Sequence, residues 1–143
     1  MAGPTNRLVV RLITAVHRAV YRATGGKLGG RMGKAPILLL TTTGRRTGKA
    51  RTTPLMYGRD GQDWIVVASN GGRSSHPQWW PNLVKGKRAI VQIGKQQNNV
   101  VATEVEGDER ERLWAEMVSI YPGYASYQEQ TSRSIPVVRL HPD

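Results

Sequence analysis

Five or six short runs of β-branched and apolar residues, each bounded by turn formers, leave this chain few folds to adopt. The runs are 36–43 (PILLLTTT), 51–57 (RTTPLMY), 64–69 (WIVVAS), 89–93 (AIVQI), 99–105 (NVVATEV) and 135–140 (IPVVRL). Val, Ile, Thr and aromatic side chains suit the half-buried pleat of a strand. Asp60-Gly61, between the second and third runs, is a hairpin signal. So many short strands in 143 residues predict a mostly β (α+β) domain, a closed or partly closed antiparallel barrel of five or six strands that leaves few open edges. Helices interrupt the strands. One is expected over 75–85, and a second opens at Asp108, where Glu111 can complete a capping box and Leu113, Trp114 and Met117 share an apolar face. A third begins after Pro122.

Ahead of the barrel the pattern changes. Over 5–24, Leu8, Val9, Leu12, Ile13, Val16, Ala19, Val20 and Ala23 gather on one helical face. Arg7, Arg11, Arg18 and Arg22 fall in a stripe roughly 60° wide on the other. Such a helix either lies on an anionic membrane surface or packs on its own domain with its arginines in water. Residues 25–34 carry five glycines and read as a connection. The expected organisation is therefore a helix and connection over 1–34 and a barrel over 35–143. The stretch is too interrupted by charge for a signal-peptide core, and no apolar run is long enough to span a bilayer.

The net charge is +11, and it is unevenly placed. Residues 1–59 hold twelve of the 21 Lys and Arg and none of the ten acids, the first acid being Asp60. That half of the chain is built to meet something negative: a phosphate-bearing small molecule, anionic lipid or nucleic acid. There is no cysteine, which excludes disulfides, thiolate metal sites and a Cys nucleophile and suits a reducing cytoplasm. His17, His76 and His141 share no ligand spacing, so no metal site is expected.

Three motifs could carry chemistry. Thr43 to Arg51 (TGRRTGKAR) puts four cations, two glycines and two hydroxyls between two strands. Arginines grip phosphate or carboxylate as a fork, and glycine lets the backbone approach a ligand. The order is not that of a Walker loop or a dinucleotide fingerprint. Next, Ala68-Ser69-Asn70-Gly71-Gly72 ends a strand in a turn rich in N–H donors. It is followed by His76-Pro77-Gln78-Trp79-Trp80-Pro81-Asn82, whose tryptophans could wall a planar ring or simply fill the barrel. Last, Tyr121, Tyr124 and Tyr127 recur at steps of three, able to line a pocket and deliver a proton, or to pack. Aromatics clustered in this way do not suit a nucleic-acid groove.

Taken together, LLLTTTGRRTGKARTTPLMY, VVASNGG…HPQWWPNL and YPGYASYQ…T…R.IPVVRL resemble the deazaflavin (F420)-dependent nitroreductase family of actinobacteria, mycobacteria among them, within the flavin/deazaflavin oxidoreductases. The resemblance covers about residues 36–142. It implies a split β-barrel of about six antiparallel strands and coenzyme F420, a hydride carrier with a phosphodiester and an oligoglutamate tail. The implied activity is transfer of hydride to an electron-poor acceptor: a quinone, an activated alkene or a nitroaromatic. Carried over by motif, Arg45, Arg46 and Thr47 meet the tail. Arg51, Thr52, Thr53, Pro54, Leu55 and Met56 run along the ring and ribityl chain, and Ala68, Ser69 and Asn70 touch the ring. Gln78, Trp79, Trp80, Pro81 and Asn82 close over the tail and the ring edge. Tyr124 and Ser69 serve catalysis, with Met56, Tyr121 and Tyr127 around the acceptor. Met56 and the HPQWWPN string depart from the nitro-drug-activating pattern, which bears on acceptor choice more than on cofactor use. The acceptor expected from the membrane-associated branch is menaquinone, met by a cytoplasmic enzyme held peripherally at the inner face of the plasma membrane. A flavin mononucleotide enzyme on the same fold, or a non-enzymatic binder of polyanions or membrane, are the other readings.

Overall fold

The computed structural model describes residues 31–32 and 35–143, with side chains from Pro36 onward. The helix expected over 5–24 and most of the connection lie outside the described residues. Eight strands form one antiparallel sheet: β1 (Arg31–Met32), β2 (Ala35–Thr43), β3 (Ala50–Met56), β4 (Gly58–Asp60), β5 (Asp63–Val67), β6 (Arg88–Ile93), β7 (Gln96–Glu104) and β8 (Val137–Pro142). Three helices are described: α1 (Trp79–Gly86), α2 (Gly107–Ile120) and α3 (Gly123–Gln130).

The sheet runs β1-β2-β6-β7-β8-β5-β4, with β3 added on β2. β3 and β4 therefore stand at opposite ends of the strand order, yet Tyr57 alone separates them in sequence. The chain itself thus curls the sheet toward closure, and the Tyr57 N–H donates to Pro36 O at 3.2 Å. Pro54 is tolerated because β3 pairs only with β2, so the missing donor faces no partner strand. Asp60-Gly61 does make the β4–β5 hairpin, with Gly61 at φ +61°.

Burial on both faces explains the uninterrupted apolar runs. Leu38, Leu40, Trp64, Val66, Ala68, Val91, Val100, Val138 and Leu140 fill the interior, and α1 adds Trp79, Trp80 and Leu83. The alternate residues Ile65, Val67 and Val137 face outward under Leu113, Met117 and Tyr124 of α2 and α3. Each fully buried Val, Leu, Ile or Met among them stabilises by about 1.5–3 kcal/mol. Gly58 lets α2 approach: a Cβ there would sit 2.8 Å from Met117 Sδ.

At one end of this second core, Arg139 binds Asp63 (2.6 Å), Asp60 (2.8 Å) and Glu109. Arg112 also reaches Asp60, at 3.2 Å, and His141 Nδ1 lies 2.5 Å from Asp63. This network ties α2 to the β4–β5 hairpin and to β8.

The run expected at 64–69 is a strand only to Val67, and that expected at 135–140 is shifted to Val137–Pro142. Two further boundaries have a clear cause. The first helix starts at Trp79 rather than Ser75, because 73–78 spans the distance from the turn after β5. β7 starts at Gln96 rather than Asn99, because β6 supplies its ladder through Ile93↔Gln96 and Gln92↔Gln97.

Candidate functional site

The β2–β3 hairpin loop is held rigidly. Gly44 N–H donates to Lys49 O and Gly48 N–H to Gly44 O, both at 2.8 Å, with Gly48 at φ +70°. Thr47 Oγ1 accepts from Lys49 N–H at 3.2 Å. Arg45 then fastens the loop to α1. Its N–H and its Nη1 donate to Asn82 Oδ1 at 3.1 and 2.9 Å, and its Nη2 donates to Gln78 Oε1 at 3.0 Å. Lys85 Nζ donates to Arg45 O at 3.1 Å. Asn82 is buried and donates to Thr42 Oγ1 at 3.4 Å. Arg45, Gln78 and Asn82 are thus joined directly, and their polar groups are largely spent on one another. Arg46 and Lys49 are exposed and Arg51 half-buried, and none of their side chains has a hydrogen-bonding or ionic partner among the described residues.

Along β3, Thr52 shares a 2.7 Å hydrogen bond with Thr41, Leu55 packs on the barrel interior and Met56 on the outer core. Thr53 and Pro54 are half-buried. Trp79 and Trp80 are buried inside the barrel, edge to face at 6.5 Å, and Pro81 is half-buried beside them.

The turn after β5 is unusual. Asn70, Gly71 and Gly72 all have positive φ (50°, 64° and 79°), a conformation only glycine and asparagine adopt readily. Gly72 N–H returns to Ser69 O and Arg73 N–H to Asn70 O. The N–H groups of Ser69, Asn70 and Gly71, and Ser69 Oγ, have no hydrogen-bond partner among the described residues. Ala68 is fully buried at the strand end; Ser69 and Asn70 are half-buried.

The tyrosine helix packs on this turn. A Cβ on Gly72 would lie 3.0 Å from Tyr127 Cα. Tyr124 and Tyr127 belong to α3, whereas Tyr121 precedes it and folds its ring back over Gly123, where a Cβ would clash with Tyr121 Cε2. The rings of Tyr121 and Tyr124 stand edge to face at 5.1 Å, and the Tyr121 and Tyr127 hydroxyls share a hydrogen bond at 3.0 Å. Burial, with the neighbouring Tyr121 and Tyr127, pushes Tyr124 far above the usual tyrosine range. The hydrogen bond to Tyr121, then burial, raises Tyr127 as well. Both therefore stay protonated donors at neutral pH.

One residue of this region carries no role in the sequence reading. Arg133, between α3 and β8, binds carbonyls of the turn and the His76 ring. Its sequence signal is its place as the first R of the YPGYASYQ…T…R.IPVVRL string, to which the sequence reading assigns no function.

A curled antiparallel barrel with a cationic hairpin locked to a helix, and a donor-rich turn pressed on a tyrosine cluster, defines a split-barrel cofactor-binding protein. The chain belongs to the F420H2-dependent quinone reductase family, whose model matches residues 13–142. An F420H2-dependent quinone reductase of Mycobacterium tuberculosis is 40% identical over 111 residues, which cover 76% of this chain and 74% of that protein. A second relative from that organism is 41% identical over 107 residues, covering 75% and 90% respectively. A solved F420H2-dependent reductase is 42% identical with a TM-score of 0.69, covering 74% of this chain and 94% of its own. The protein is accordingly an oxidoreductase of the F420H2-dependent class, and its cofactor is coenzyme F420. The residues present fit that group. Unpaired cations at 46, 49 and 51 suit a polyanionic tail, and the open donors of 69–71 suit ring carbonyls.

Proposed function

We propose that the chain reduces quinones, and that the turn 69–71 and the tyrosines of 121–127 form the two sides of the reaction site. The observation that carries this reading is the contact of Gly72 with Tyr127, which sets open hydrogen-bond donors against a cluster of phenols. When bound in its reduced form, coenzyme F420 supplies the hydride. The chain supplies the rest. Arg46, Lys49 and Arg51 bind the anionic tail, with Thr47 beside them, while Arg45 holds their loop on Gln78 and Asn82. The strand Arg51–Met56 and the residues Ala68, Ser69 and Asn70 border the ring, with Trp79, Trp80 and Pro81 backing the site from the barrel side. Ser69 Oγ and the amide N–H groups stabilise negative charge, being fixed in place before it develops.

Tyr124 is kept neutral by its surroundings, so it serves as a hydrogen-bond donor to the acceptor oxygen. In the Tyr121–Tyr127 pair one hydroxyl donates to the other, and the accepting hydroxyl keeps its own proton to donate outward. Met56, Tyr121 and Tyr127 shape the acceptor side.

The natural acceptor proposed is a membrane quinone such as menaquinone, supported by the names of the mycobacterial relatives and by the arginine stripe of 7–22, which suits an anionic membrane surface. Deleting residues 1–24 should then abolish flotation with anionic liposomes. The central test is Tyr124→Phe, assayed by reoxidation of reduced coenzyme with several quinones. Turnover should fall about 10²-fold or more; unchanged rates across the panel would remove the hydroxyl from the reaction.

A further inference from the structure

We propose that Arg133 is a positioning residue for hydride transfer: it fixes the donor turn against the tyrosine helix and polarises the turn's amides. The inference rests on the reading of that turn as one side of the reaction site.

All three guanidinium nitrogens are used. Nε donates to Arg73 O at 3.0 Å, Nη1 meets His76 Nδ1 at 3.0 Å, and Nη2 donates to Ser69 O at 2.8 Å and to Ala68 O at 3.3 Å. A planar fork can bind divergent acceptors at once, which a lysine ammonium cannot do in the same geometry. The acceptors matter. Ala68 O shares a peptide with the Ser69 N–H, and Ser69 O shares one with the Asn70 N–H. Those are two of the open donors of the turn. A charged donor on the carbonyl withdraws electron density from its peptide and makes the attached N–H a stronger donor. No carboxylate pairs with Arg133 among the described residues, so no salt bridge competes with these carbonyls for its donors.

Arg133 is itself tied to α3. Gln128 Nε2 donates to Arg133 O at 2.8 Å, and Gln128 Oε1 accepts from Ile135 N–H at 3.0 Å. Arg133 N–H donates to Thr131 Oγ1 at 3.3 Å. The helix that carries Tyr124 and Tyr127 thus reaches the Ser69 turn through Gln128 and Arg133. Their separation is set on the site's own elements, and hydride transfer is sensitive to displacements of about 1 Å, which can cost about 10²-fold in rate.

The test compares Arg133→Gln with Arg110→Gln. Arg110 also donates to a backbone carbonyl, Ile135 O at 2.7 Å, and stacks on Trp114 away from the turn. Coenzyme affinity is read by titrating apo protein with oxidised coenzyme F420, and kcat by reoxidation of reduced coenzyme with menadione. In Arg133→Gln, kcat should fall about 10²-fold while the coenzyme Kd rises less than about tenfold, since the tail cations are untouched. Arg110→Gln should lower stability and leave both unchanged. A kcat in Arg133→Gln no lower than in Arg110→Gln overturns the inference. Should Arg133→Gln fail to fold, Arg133→Lys carries the test, and wild-type kcat in that variant overturns it. Wild-type protein that does not bind coenzyme F420 overturns the reading of the site instead.

Discussion

Gly72→Ala should be far more damaging than Gly71→Ala, although the two glycines are neighbours and both have positive φ. Gly71 has φ +64° and nothing within 4 Å of a Cβ built on it. Its replacement meets only the left-handed penalty, about 1–2 kcal/mol. Gly72 has φ +79°, and a Cβ there would lie 2.7 Å from Gln130 Oε1, 3.0 Å from Tyr127 Cα and 3.2 Å from Tyr127 Cβ. Gln130 can swing aside, since it is the end of a flexible side chain. Tyr127 Cα is backbone, so α3 itself must move. Overpacking of this kind adds about 1–3 kcal/mol. Gly72→Ala should therefore cost about 2–5 kcal/mol in total. At roughly 4 °C per kcal/mol for a chain this size, its Tm should fall by about 8–20 °C, against about 4–8 °C for Gly71→Ala. Thermal and urea unfolding of the two variants give the numbers, and coenzyme titration shows whether the site opens with the helix. Equal losses of stability in the two variants would refute the claim that the turn and the tyrosine helix are in tight contact.

Other expectations concern charge and hydrogen bonding. Arg46→Gln and Arg51→Gln should each weaken coenzyme binding by roughly 10–100-fold, the size of a lost charged hydrogen bond, and less at high salt. Arg59→Gln, over the Trp64 ring on the far hairpin, should leave affinity unchanged in the same titration. Asn82→Leu removes the acceptor of the part-buried Arg45 N–H and of its Nη1, leaving the guanidinium only Gln78, so it should cost about 1–3 kcal/mol by denaturation and weaken coenzyme binding by loosening the loop. Hydrogen bonds from Arg112 and Arg139 hold Asp60 below the ordinary carboxylate value. Burial would raise Asp63, but the bonds from Arg139 and His141 outweigh it and hold it low as well. Depressed folded values mean this contribution to stability is complete above about pH 4 and is lost as pH falls through them. Unfolding free energy measured from pH 6 to pH 2 should fall in that acid window, and Asp63→Asn should flatten the fall.

Much of the barrel was legible because strand formation here is a local matter. The runs at 36–43, 64–69 and 89–93 carry their β preference and apolar character in their own side chains, and Asp60-Gly61 specifies its turn by backbone conformation. β4 was not legible: Gly58–Asp60 has no strand character and is a strand only because β5 lies beside it. The first turn of the helix expected at Ser75 failed for a similar reason. Asn70 Nδ2 donates to Ser75 O at 3.0 Å, and the segment up to Gln78 serves as the bridge between turn and helix. In the site, the basic loop, the glycine turn and the three tyrosines stood out by composition. The separation of roles within them did not. Arg45 and Arg46 are adjacent and chemically identical, yet Arg45 is engaged by Gln78 and Asn82 while Arg46 is left unpaired.

Sequence alone determined that this is a small antiparallel barrel with an acid-free, cationic first half, and it carried the motifs of a deazaflavin enzyme. Those properties belong to residue types and to spacings of a few positions. Only the tertiary structure decided which cations are unpaired, which tryptophans are core and which arginine grips the turn. Arg133 meets Ala68 and Ser69 across more than sixty residues of chain. A contact of that span follows from β5 and β8 pairing side by side, and no local pattern encodes it.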